Sequence, residues 1–137
     1  IAPYRPPLPT AKWVATVQEL SDGRLRLGVG VGWMEAEFRA LGVDRRQRGR
    51  LTDELLDFMH QCFAQDEVTA NGQRFLFKPR PSRPPFLIGG AAEHAFERIV
   101  RHGDGWMPMT MKPDELRTPV RDLITLMADA GRPAPQI

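Results

Sequence analysis

The sequence predicts an α/β chain in which short parallel strands alternate with helices. Segments whose apolar residues fall at helical spacing are interleaved with short apolar runs. The joints are short and punctuated by Gly, Pro or Asn-Gly. Read in order, the chain runs helix, strand, helix, strand, helix, strand, helix. Such alternation implies parallel strands joined by right-handed crossovers. The strands are short and apolar, as expected when helices cover one side and packed side chains the other. A barrel and an open doubly wound sheet satisfy this pattern equally.

Residues 9–20 read as a helix with Trp13, Val14, Val17 and Leu20 on one face. Ser21-Asp22-Gly23 ends it, with Gly23 suited to a left-handed cap. Residues 24–32 follow as a strand, in which Leu25, Leu27, Val29 and Val31 alternate with Arg24, Arg26, Gly28, Gly30 and Gly32. A short helix over 34–41 stops at Gly42. A longer one over 46–64 carries Leu51, Leu55, Met59, Cys62 and Phe63 as its buried stripe. Asn71-Gly72 marks a hairpin within 68–77. Pro79, Pro81, Pro84 and Pro85 make the next stretch extended. A strand at 86–88 runs into Gly89-Gly90. A helix over 92–102 has Ala95, Phe96, Ile99 and Val100 inward and Gly103 as its cap. Residues 105–108 give one more strand. Pro113 opens a last helix, with Asp114 and Glu115 at its positive end and Leu116, Val120, Leu123, Ile124 and Met127 as its apolar face.

Composition excludes several classes. The 137 residues suffice for one domain with a core, and 42% apolar and 26% charged residues are globular values. No apolar run approaches the roughly 18 residues of a membrane helix, so no membrane partner is expected. The start lacks both an initiator Met and the apolar core of a signal peptide. Cys62 is the only cysteine, which forbids an internal disulfide and fits a cytoplasmic compartment. Its place in a helical stripe reads as core rather than nucleophile. Net charge is +2, with a pI near 9.1. The one basic cluster, residues 45–50, has no interleaved aromatics, so no nucleic acid partner is expected. No His, Cys and carboxylate cluster has metal-ligand spacing, so no metal is expected. Glu35 and Glu37 suit acid–base work or a solvated, helix-capping role, and no catalytic residue is assigned.

Three motifs can carry chemistry. Gly28-Val29-Gly30-Val31-Gly32-Trp33 places three glycines at alternate strand positions, where each weakens the strand. Close approach of a flat ligand to bare backbone is one reason, favoured for Gly30 and Gly32. Tight helix packing is the other, equally fitting for Gly28. The spacing is not the dinucleotide fingerprint. Ile88-Gly89-Gly90-Ala91-Ala92 joins a strand to a helix and exposes amide groups fit for phosphate or another anion. In Gly103-Asp104-Gly105-Trp106 the carboxylate suits holding loop amides, and Trp106 suits the barrel interior or a pocket wall. Arg48 or Arg50 could steer an anionic cofactor tail.

Together and in this order, these motifs resemble the luciferase-like monooxygenase family. The likeness runs through Gly23 to Trp33, Glu37-Phe38, Gly42, Arg48-Gly49-Arg50-Leu51-Thr52-Asp53-Glu54, Gly89-Gly90 and Gly103-Asp104-Gly105-Trp106. The opening Pro3-Tyr4-Arg5, Pro7 and Ala11-Lys12 also fits. The resemblance implies an α/β fold of (β/α)8 TIM-barrel type, here an incomplete barrel of alternating parallel strands and helices. A closed barrel takes roughly 250 residues. Residues 1–137 then form one partial barrel domain, from the end of strand three through the helix after strand six.

The activity implied is that of an oxidoreductase using coenzyme F420, with FMN as the alternative cofactor. It would transfer a hydride to or from a small-molecule substrate. An FMN-dependent monooxygenase and a non-catalytic fragment acting by association are the other readings. The family's strand ends map the cofactor-binding residues to Ala2, Gly30, Val31, Gly32, Gly89, Gly90 and Ala91. Some F420-using relatives place a catalytic glutamate where this chain has Trp33, which argues against their sugar-phosphate dehydrogenase chemistry. A homodimer, or pairing through exposed barrel edges, is expected.

Overall fold

The computed structural model describes residues 1–137, which separate into two compact units. The first comprises residues 1–25 and 31–84, and the second residues 26–30 and 85–137.

In the first unit a 3-10 turn, Ala2–Tyr4, leads into helix α1, Pro7–Leu20. Pro7 occupies the first helical turn, where its missing N–H costs nothing. Asp22 and Gly23 end the helix with positive φ of 52° and 74°. The buried face of α1 is Ala11, Val14, Ala15 and Gln18; of the expected stripe only Val14 is buried, while Trp13, Val17 and Leu20 are exposed. Small alanines let α1 approach helix α3, Arg48–Ala64, closely. Gln18 is buried because its amide spans two strands of loop, donating to the Ser82 carbonyl at 3.1 Å and accepting from Leu25 N at 3.2 Å.

Helix α2 is short, Glu35–Ala40, and buries only Phe38. Helix α3 buries Thr52, Leu55, Leu56, Met59, Cys62 and Phe63. Strands β2, Glu67–Ala70, and β3, Gln73–Leu76, pair antiparallel around Asn71-Gly72. Both turn residues have positive φ, 50° and 75°, as this hairpin type demands. Asp66 closes the base, taking Lys78 Nζ at 2.6 Å and Arg80 Nε at 2.7 Å. Its main-chain carbonyl accepts from Phe77 N at 2.7 Å.

The second unit is built on a parallel sheet of order β1-β4-β5. Strand β1 is Leu27–Val29, β4 is Phe86–Gly89 and β5 is Gly105–Met107. Gly28, Leu87 and Gly105 are in register, as are Val29, Ile88 and Trp106. Gln136 adds a parallel bridge on the far side of Gly105. The expected strand over 24–32 is therefore trimmed at both ends to the three residues that find a partner in β4.

Alternation along the strands separates two faces. Phe86, Ile88 and Trp106 are buried on the side of helix α4, Ala92–His102. Trp106 meets Phe96 edge-on at 5.1 Å. Gly28, Leu87, Gly89, Gly105 and Met107 take the opposite face. Helix α5, Pro113–Asp129, packs against α4 and buries Leu123 and Met127. Ile124, expected on its apolar face, is exposed. The Glu115 carboxylate accepts from Lys112 N at 2.8 Å and so closes the start of α5.

Candidate functional site

The sequence singles out two strand-to-helix junctions, one in each unit. In the second unit, β4 ends at Gly89 and α4 begins at Ala92. Gly90 has φ of 132°, a conformation that L side chains avoid. A Cβ at Gly89 would lie 3.5 Å from the Val29 carbonyl, so the position faces the backbone of its neighbouring strand. Ala91 caps α4 without any side-chain hydrogen bond. The leading amides of an eleven-residue helix thus have no side-chain acceptor of their own, and the helix dipole adds partial positive charge there.

Trp106 fixes this junction from below. Its indole Nε1 donates to the Gly90 carbonyl at 2.8 Å while its ring is fully buried. The side chain therefore faces α4, and neither the sheet's opposite face nor a pocket wall. Asp104 holds the start of β4, accepting from Phe86 N at 2.8 Å. Arg132 reinforces the same corner, donating to the carbonyls of Val100 and Gly103, each at 2.7 Å.

Gly103 is not a left-handed cap, since its φ and ψ are −92° and 167°. It is glycine for lack of space: a Cβ would come within 2.8 Å of Ile88 Cγ1 and 3.1 Å of Ile99 Cα. Gly28 is likewise explained by a neighbour that neither alternative named. A Cβ there would meet the Met107 sulfur at 3.1 Å, so a thioether from β5 covers it.

In the first unit, Val31 and Gly32 open the loop to α2. Gly32 has φ of 78°, and a Cβ on it would sit 2.8 Å from Ile1 Cγ2 and 3.0 Å from the Phe38 ring. Ala2 is buried in the opening 3-10 turn. Tyr4 packs edge-on against Phe38 at 4.8 Å and donates its hydroxyl to Glu37 at 2.9 Å. Burial first, then that bond, raises the Tyr4 hydroxyl above its usual range. Arg45 donates its Nε to the Trp33 carbonyl at 3.1 Å and so ties the loop to the turn before α3. The indole of Trp33 itself is 71% exposed.

The ties made by Trp106 and Arg45 were not legible in sequence, because each ends on a main-chain carbonyl. The conjunction Gly103-Asp104-Gly105-Trp106 was the one available signal. Cys62 is buried, and burial pushes its thiol up to about 11, which makes it core. No group of three metal-binding side chains forms. No helix is long and apolar enough to cross a membrane.

A profile of the luciferase-like monooxygenase family matches residues 1–137, and the chain belongs to that family. Its relatives include an uncharacterised protein of Mycobacterium tuberculosis, 36% identical over 140 residues, covering 96% of this chain and 49% of the relative. An FMNH2-dependent dimethylsulfone monooxygenase of Pseudomonas fluorescens is 28% identical, covering 88% of this chain and 35% of the relative. Among solved structures, monooxygenase RslO1 from Streptomyces bottropensis superposes with a TM-score of 0.74 at 25% identity, over 94% of this chain and 41% of that one. An F420-dependent secondary alcohol dehydrogenase, in complex with an F420-acetone adduct, superposes at 0.75 with 22% identity, over 93% and 42%. The chain thus spans about half the length, or less, of the relatives it matches.

Proposed function

We propose that this chain is part of an F420-dependent oxidoreductase that moves a hydride to or from a small organic substrate. The observation that carries the reading is the Gly89-Gly90-Ala91 junction. Its backbone bears no side chain larger than a methyl, and its amides open onto an uncapped helix start. Such a junction suits a flat ring lying on bare backbone with an anion at the helix dipole. The proposed cofactor-binding residues are Ala2, Val31 and Gly32 in the first unit, and Gly30, Gly89, Gly90 and Ala91 in the second. A bound deazaflavin ring supplies the hydride chemistry. The residues of this chain supply position: Trp106 holds the Gly90 peptide, and Gly32 fixes the loop that begins at Val31.

The second reading, an FMN-dependent monooxygenase, is favoured by the relative from Pseudomonas fluorescens that uses FMNH2. The loop Val31-Gly32-Trp33 resembles that of F420-using members of the family, and this resemblance favours F420. We also propose a cytoplasmic protein that associates with a second copy of itself, as a homodimer or through its sheet edges.

Titration of F420 and of FMN into the full-length protein, followed by cofactor fluorescence, tests the reading. Saturable binding of F420 supports it, binding of FMN alone selects the monooxygenase, and no binding of either refutes both. Ala91→Asp gives a sharper test of the junction. Aspartate is a good helix cap, so folding stability should rise by about 1 kcal/mol. The same carboxylate should repel the cofactor's anion and weaken binding by about tenfold. Unchanged cofactor affinity in a stabilised variant would remove α4 from the site.

A further inference from the structure

The face of the parallel sheet turned away from α4 carries few side chains. Of Gly28, Leu87, Gly89, Gly105 and Met107, three are glycine, and all five belong to the second unit. The two side chains lie over two of the glycines. Leu87 Cδ2 is 2.8 Å from where a Cβ on Gly105 would be, and Met107 Sδ is 3.1 Å from where one on Gly28 would be. Gly89 differs. A Cβ there would have only the main-chain oxygens of Val29 and Met107 within 4 Å, at 3.5 and 3.9 Å, and no side chain. On this face, the backbone at Gly89 is the part left bare.

Met107 borders that bare backbone along its whole width. It is the register partner of Gly89, one strand away at a spacing of about 4.8 Å. Strand β4 lies between β1 and β5, so the Met107 side chain spans β4 to bring its sulfur over Gly28. A fused three-ring system is wider than the strand spacing. Laid on the Gly89 peptide, it overlaps β5 or β1, and the thioether runs between the two. Met107 is also 43% exposed, whereas Trp106 before it is fully buried. An open, apolar and polarisable sulfur beside bare backbone suits an aromatic ring, which attracts a thioether at about 5 Å.

We infer that Met107 is a contact residue for the cofactor ring, its thioether forming the floor against which a ring on Gly89 rests. This rests on the flavin or deazaflavin reading above and adds to it. The glycines leave the room, and Met107 limits how far toward Gly28 a ligand sinks. The floor selects by polarity, because a polar group set against it would lose its water without gaining a partner.

The test reads the sulfur itself. Hydrogen peroxide oxidises an accessible thioether to the sulfoxide, the sulfur taking one oxygen and the rest of the peroxide leaving as water. The full-length protein is treated with peroxide in the dark, alone and with saturating oxidised F420 or FMN. A free methionine derivative in the same tube reports the oxidant, and mass spectrometry reads each residue. The bound ring should slow oxidation of Met107 by at least about fivefold and leave the free derivative unchanged. Met107→Gln, of similar length but polar, should bind the ring about tenfold more weakly, and the apolar Met107→Leu should bind as wild type. If the ring binds and Met107 oxidises at its unliganded rate, the contact is refuted while the flavin reading stands. Wild-type affinity in Met107→Gln would refute it as well, since protection would then come from shielding at a distance. If neither cofactor binds, the flavin reading fails, and the contact with it.

Discussion

At the scale of single residues, glycine was legible as a signal but its reason was not. The alternation Gly28, Gly30, Gly32 stands out in sequence because glycine weakens strands. Gly28 exists to admit Met107, a residue nearly eighty positions away that no local reading supplies. Gly32 answers to a positive φ and to the Phe38 ring. Its replacement is correspondingly costly: Gly32→Ala should lose about 1–3 kcal/mol of folding stability, from strain and from the displaced Ile1 and Phe38 side chains. Denaturant titration measures this, and a loss of a few tenths would show that the loop relaxes freely. Asp104 was read as a structural carboxylate holding loop amides, and it does hold an amide, that of Phe86 at the start of β4 rather than one in its own loop.

At the scale of elements, every α-helix was visible, but of the face expected for α1 only Val14 is buried. Both its faces carry apolar side chains. The larger ones, Trp13, Val17 and Leu20, drew the assignment, whereas the small Ala11 and Ala15 are the ones that contact demands. Where two helices pack closely, size limits matter more than hydrophobicity. Ala15→Leu should therefore destabilise by about 1–3 kcal/mol through overpacking, although it adds apolar surface. Thermal or chemical unfolding decides, and a stabilised variant would show slack between α1 and α3.

The hairpin was legible because Asn71-Gly72 encodes its own geometry, yet its anchor was not. The Asp66 carboxyl is held below the usual carboxylate range, by the hydrogen bond from Lys78 first and that from Arg80 next. A depressed carboxyl stabilises the fold above its ordinary value and loses that contribution as pH falls through the lowered one. Comparison of wild type with Asp66→Asn should show a stability difference at about pH 7 that shrinks as pH falls below the ordinary carboxylate value of about 4. A pH-independent difference would mean that the contribution is not ionic.

At the scale of the whole molecule, alternation predicted a parallel sheet, and order β1-β4-β5 follows from it. Barrel or open sheet could not be chosen from pattern, since both use the same crossover unit. The motif set made that choice by resemblance. Strand β1 pairs with β4 alone, so its other edge presents unpaired backbone. Trp13, Val17 and Leu20 add exposed apolar surface on α1. We expect the 137-residue chain, expressed by itself, to associate at micromolar concentration, which sedimentation velocity would reveal. A stable monomer would show that these surfaces need no cover.

The hydrogen bond from Trp106 to Gly90 makes the protein its own optical instrument. Of the three tryptophans, Trp13 and Trp33 are 69% and 71% exposed, while Trp106 is sealed from solvent. Aqueous quenchers should extinguish the red-shifted emission of the first two and leave a blue-shifted remainder from one known position. That position touches the peptide at which β4 becomes α4. A ligand settling there would announce itself in the residual light, with no label attached and no substrate needed.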